Sequence, residues 1–114
     1  MRMWERWLMN DCIFCQIAAK KVPSKIQYED DEIIAFDDIA PKAPVHILIV
    51  PKRHIESVNE LKKEDIELIG KVILVAKKLA QEKGLKGYKL VFNVGREGGQ
   101  LVDHLHLHLL GGMV

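Results

Sequence analysis

Five histidines occur in this chain of 114 residues, and three of them alternate with leucine over His104-Leu105-His106-Leu107-His108-Leu109-Leu110. A neutral imidazole offers one nitrogen that donates a proton and one with a free lone pair, and it titrates near neutrality. On a strand, the three histidines share one face at intervals of roughly 6.5 Å, and Leu105, Leu107 and Leu109 share the other. A helix would scatter them, and the run ending at Gly111-Gly112 has strand length. The leucine face suits a core and the histidine face suits polar chemistry. Two chemistries fit: a metal cluster, and nucleophilic catalysis by an imidazole whose neighbours fix its tautomer.

Cys12-Ile13-Phe14-Cys15 is the second grouping with chemical potential. The segment reads as a loop entering a short helix, and the thiols converge if the backbone turns between them. A thioredoxin-like redox pair would prefer a strand before it and a longer helix after it. Half of a zinc site is the better reading, because four-coordinate Cys₂His₂ zinc is common and the chain's histidines can supply two more ligands.

The positioning elements follow from patterning. Residues 26–29 and 32–36 predict a hairpin about Asp30-Asp31, and Asp37-Asp38 opens a proline-bounded loop to Pro44. Val45 to Pro51 is nearly all apolar, which predicts a central strand buried on both faces. His46 near its start must therefore be paired. Glu64 to Lys83 predicts the one long helix, stopped by Gly84. It carries two apolar stripes, Ile66, Ile69, Ile73, Ala76 and Ala80 beside Leu68, Val72, Val75 and Leu79. Together they are wider than one sheet face requires, and a twin subunit, making a homodimer, would explain the excess. Tyr88 to Val94 is a strand, and a glycine-rich turn over residues 95–100 leads to the histidine strand. Strands and helices segregate, so the fold class is α+β: an antiparallel sheet of about five strands, one long helix and a short N-terminal helix.

The chain length predicts a single domain, here residues 11–114. Residues 1–10, with Trp4, Trp7 and Leu8 at helical spacing, read as an N-terminal extension. Formal net charge is +1 with both signs interspersed, which is not the footprint of a nucleic-acid binder. No apolar run approaches the ~20 residues of a membrane span, and Glu5 and Arg6 interrupt any secretory signal. Two cysteines without an export signal predict reduced thiols in a cytoplasmic protein.

Six stretches in order carry a resemblance: Cys12-Ile13-Phe14-Cys15, Ala35-Phe36-Asp37-Asp38-Ile39, Ala43-Pro44-Val45-His46, Val50-Pro51-Lys52-Arg53-His54, Asn93-Val94-Gly95, and Gly99-Gln100 followed by the alternating histidines. From about Asp11 to Gly112 the chain resembles the histidine triad (HIT) family, within it the Hint-like branch of small nucleotide hydrolases. The resemblance implies a hydrolase or transferase that cleaves at the α-phosphate of an AMP-type nucleoside monophosphate derivative, through a nucleotidyl–histidine intermediate. It places the nucleophile on His106, with the His104 carbonyl fixing its tautomer. His108 would hold phosphate oxygens, and His46 would support the pocket.

On the nucleotide reading, Ile13, Phe14, Ile17, Phe36 and Ile39 wall the base slot, and Asp38 takes the ribose hydroxyls. Gly99 lets the backbone approach a phosphate, and Gln100 and Asn93 add neutral donors. By resemblance, Cys12, Cys15, His54 and His104 hold a structural zinc. The expected partners are a purine nucleotide and a second copy of the chain. Leu101 stands where the Hint-like branch commonly has serine, whose hydroxyl helps the leaving group. Asp103, by strand parity, falls on the leucine face, away from the histidines. Two competing functions remain: a nucleotide-binding regulatory module with weak turnover, and a metal carrier binding at His106 and His108.

Overall fold

The computed structural model describes residues 12–113, so the extension expected over residues 1–10 lies outside the described residues. Helix α1 (Ile13–Ala18) comes first, then strands β1 (Ile26–Glu29), β2 (Ile33–Asp37) and β3 (Val45–Pro51). The long helix α2 (Ile66–Glu82), β4 (Tyr88–Val91) and β5 (Leu107–Gly111) follow. The five strands form one sheet in the order β1-β2-β3-β5-β4, with every neighbouring pair antiparallel. This is the α+β architecture expected. Among the described residues, no helix is long and apolar enough to cross a membrane.

Alternation along the central strands builds two cores. Ile33, Ala35, Ile47, Ile49, Leu107 and Leu109 pack toward α2 and its Leu68, Val72, Val75 and Leu79. Ile34, Phe36, Leu48 and Val50 point the other way, where Phe14 and Ile17 of α1 cover them. The β1–β2 turn is closed by Asp30, whose carboxylate accepts the N–H groups of Glu32 and Ile33, both at 2.8 Å.

α2 begins later than its charge pattern predicts. Lys63–Asp65 forms a separate 3₁₀ turn, in which buried Asp65 accepts the Lys62 N–H and pairs with Arg53. Its stop is as expected: Gly84 takes a left-handed φ of +70°, and the N–H of Leu85 returns to the Ala80 carbonyl. The two stripes divide. Ala76 and Ala80 join the second stripe in the core, while Ile66 and Ile73 stay exposed. β4 is shorter than expected, leaving the ladder after Val91.

The histidine segment is also a shorter strand than alternation suggests. Only residues 107–111 lie in the ladder; His104, Leu105 and His106 precede it. The cause is Pro51. Continued past Leu107 and Ile49, the register would set His106 opposite Val50 and then Leu105 opposite Pro51, and proline has no N–H to donate. The Leu105 N–H turns instead to the Ile55 carbonyl, and the Pro51 carbonyl accepts from the His104 ring. The division of faces survives: Leu105, Leu107 and Leu109 are all buried in the core beneath α2.

Candidate active site

On the α1 side of the sheet a cavity of about 510 Å³ opens over His106 and His108. That is the size of a small-molecule site. Of the residues expected to contact nucleotide, Ile13, Phe14, Ile17, Phe36, Asp38, Ile39, Asn93, Gly99 and Leu101 all line it, as does His46. Ile39 and Leu101 are highly exposed, at 100% and 80%, and give it an apolar rim. Val22, Leu48 and Val102 also line it and were missed. Leu48 was accessible to reasoning, since it follows His46 by two residues on the same strand face; nothing in the sequence marks Val22 or Val102.

His106 is buried, and its Nδ1 lies 2.6 Å from the His104 carbonyl oxygen. A carbonyl only accepts, so the proton sits on Nδ1 and the Nε2 lone pair is free. Burial holds the ring's pKa below the usual imidazole range, so the neutral nucleophilic form prevails at neutral pH.

A second chain of bonds sets the tautomer of His108. The Lys42 N–H donates to His46 Nδ1 at 3.1 Å, which leaves the His46 proton on Nε2. That nitrogen lies 2.9 Å from His108 Nδ1 and 3.3 Å from an Asp38 carboxylate oxygen. His46 therefore donates to His108, whose own proton is left on Nε2 as a donor for an anion. Burial first, then the neighbouring imidazoles of His106 and His46, push the His108 pKa down from 6.5 to about 4. His46, required by its position to be paired, is satisfied on both ring nitrogens. Asp38 serves two purposes, since its Oδ1 also caps the turn at the Ala40 N–H, 2.8 Å away.

Gly99 adopts φ +86°, and a Cβ there would come within 2.9 Å of Asn93 Nδ2. Only glycine fits this left-handed position against the cavity wall. Gln100 departs from its expected role. Its side chain is buried in the loop, donating to the Glu56 and Val102 carbonyls at 2.6 and 2.9 Å and accepting the Gly95 N–H at 2.9 Å. Each amide hydrogen and the carbonyl is committed, so Gln100 braces the loop and is no phosphate donor. Asp103 lies in the loop before β5, where strand parity does not apply, and pairs with Arg96 at the surface.

Beyond the cavity, Cys12, Cys15, His54 and His104 bring their ligand atoms within 4.8 Å of one another. Cys12 Sγ lies 3.2 Å from His104 Nδ1, and Cys15 Sγ lies 3.4 Å from His54 Nδ1 and 3.5 Å from His104 Nδ1. Tetrahedral zinc with N and S ligands at 2.0–2.3 Å implies ligand separations of roughly this size. The tautomer is right as well. His104 Nε2–H donates to the Pro51 carbonyl at 2.7 Å, so its Nδ1 lone pair faces the thiols. Burial, with Cys12 alongside, pushes the Cys15 thiol up to about 12; a bound cation would supply the charge that favours thiolate.

Asp38, His46 and His108 form another cluster of close ligand atoms, but there the tautomer is wrong. The Lys42 N–H occupies the His46 lone pair, so Nε2 carries a proton where a metal would need a free pair. This argues against a metal held jointly by Asp38, His46 and His108.

Comparison with known proteins agrees with this geometry. The family model described as "Scavenger mRNA decapping enzyme C-term binding" matches residues 11–113. The purine nucleoside phosphoramidase of Escherichia coli K12 is 45% identical over 107 residues, covering 92% of this chain and 90% of that protein. A HIT family hydrolase from Legionella pneumophila superposes with a TM-score of 0.89 at 51% identity, covering 90% of this chain and 94% of the other. A zinc-bound histidine triad family protein from Mycobacterium smegmatis superposes with a TM-score of 0.79 at 28% identity, covering 90% of this chain and 75% of the other. With sheet order, imidazole geometry and relatives in accord, the chain belongs to the histidine triad family and is one of its hydrolases.

Proposed function

We propose that the chain hydrolyses AMP-type purine nucleotide derivatives at the α-phosphate through His106. The carrying observation is the bond from His106 Nδ1 to the His104 carbonyl, which leaves Nε2 unprotonated inside a cavity of nucleotide size. Nε2 attacks phosphorus, a P–N bond forms, and the leaving group departs with its bonding electrons. Water then attacks the same phosphorus, breaking the P–N bond and freeing the monophosphate. His108 Nε2–H and the backbone around Gly99 hold the phosphate oxygens, Asp38 takes the ribose, and the apolar walls take the base.

The test is release of AMP from adenosine 5′-monophosphoramidate, other adenylates and dinucleoside polyphosphates. His106→Ala is expected to lower turnover roughly 10³-fold or more and to keep AMP binding. A variant with full activity refutes the assignment. The alternative, a binding module of slow turnover, is supported by Leu101, which offers no side-chain donor to the leaving group; it predicts tight AMP binding without release from any of these substrates.

Zinc held by Cys12, Cys15, His54 and His104 completes the proposal. It would fasten α1 to the segment before β5, and when bound it supplies cross-linking, outside the reaction itself. Protein purified without chelators is expected to carry about one zinc per chain. Cys15→Ser should lose the metal and melt at lower temperature; wild-type protein free of metal would remove this part of the reading.

A further inference from the structure

Phe14 walls the cavity, and among the described residues its closest aromatic neighbour is His106, the proposed nucleophile. Its ring centroid lies 5.0 Å from that of His106 at an interplanar angle of 85°. It also packs edgewise on Phe36 at 5.5 Å and on His104 at 6.0 Å, and it is only 6% exposed. The Nδ1–carbonyl bond fixes one direction of the His106 ring, and rocking about that bond is opposed by the rings packed on it, His108 at 4.8 Å and Phe14. The edge-to-face contact with Phe14 limits this movement, and aim matters because attack on phosphorus requires an aligned lone pair.

We infer that Phe14 is a positioning residue for His106, and that the thiol–imidazole quartet acts on the nucleophile through it. This rests on the hydrolase reading above. Phe14 sits between Cys12 and Cys15, so the ligands that anchor the thiols also set where its backbone lies. Cys12 ends the helix as its N-cap, accepting the Cys15 N–H at 3.4 Å. His104 joins the same quartet through its ring, while its carbonyl receives the His106 proton. Two of the contacts that hold His106, the His104 carbonyl and the Phe14 ring, thus trace to one cluster.

The experiment compares wild type, Phe14→Leu, Phe14→Tyr and Cys15→Ser, each checked for folding by circular dichroism. Nitrogen-edited NMR of the nucleotide-free proteins reads the His106 Nδ1 proton. Exchange of that proton with water is expected to quicken about tenfold in Phe14→Leu and in Cys15→Ser, and to stay near the wild-type rate in Phe14→Tyr. With a saturating adenylate substrate, Phe14→Leu should lower kcat about tenfold, and Phe14→Tyr should recover most of that loss. A residue that only walls the base slot would raise KM and spare kcat. A slow-exchanging proton in Phe14→Leu overturns the proposal, and a slow one in Cys15→Ser overturns the role of the quartet. Wild type inactive on every adenylate would instead overturn the hydrolase reading, with the NMR result still deciding the role of Phe14.

Discussion

On the proposed hydrolase reading, Leu101 limits what the cavity offers a departing group. It is 80% exposed on the cavity wall, and its side chain has no proton to give. A phosphoramidate leaves as an amine and needs protonation, whereas a carboxylate or phosphate leaves as a stable anion. Leu101→Ser is therefore expected to raise kcat/KM for adenosine 5′-monophosphoramidate by about ten- to a hundredfold, the worth of one well-placed donor. Acyl adenylates should gain little, and steady-state assays of both substrates check it. At this scale the sequence was informative about type and spacing. His106, His108 and the four metal-ligand candidates could be chosen from alternation, the Cys-x-x-Cys step and family resemblance. The chain of protons through the Lys42 N–H, His46 and His108 could not be chosen this way, because a backbone donor arriving from a loop leaves no mark in the residue pattern.

Among the elements, the turn over residues 95–100 shows where sequence reading ran out. A glutamine after Gly99 reads as a donor to phosphate, but three internal bonds hold it in the loop. Its side chain is a substitute for secondary structure, tying the Gly95 N–H to carbonyls at residues 56 and 102. Gln100→Ala leaves those buried groups unpaired and is expected to cost about 2–3 kcal/mol of stability. Urea unfolding should show a lowered midpoint with an unchanged m-value. The long helix, apart from its start, and the buried strands were legible from their apolar patterning. The early end of the histidine strand was not, since it depends on register against Pro51, and register is a property of pairs of strands.

At the scale of the whole molecule, the excess apolar surface predicted on the long helix is present. Ile66, Ile73 and Leu74 of α2 stay exposed, as do Tyr88 and Leu90 of the edge strand β4. A second copy covering this surface would account for it. Light scattering at micromolar concentration is expected to give twice the chain mass, and Leu74→Glu with Leu90→Lys should return the protein to a monomer with its fold retained. The sheet itself has a consequence for descent. The core beneath the long helix, with Leu105, Leu107 and Leu109, lies on the side away from the cavity, and the smaller core of Phe14, Ile17, Phe36 and Leu48 lies beneath the cavity. A lineage inheriting such a fabric can retune its diet at Ile39 or Leu101, where side chains are largely exposed, without loosening the weave that keeps it in shape.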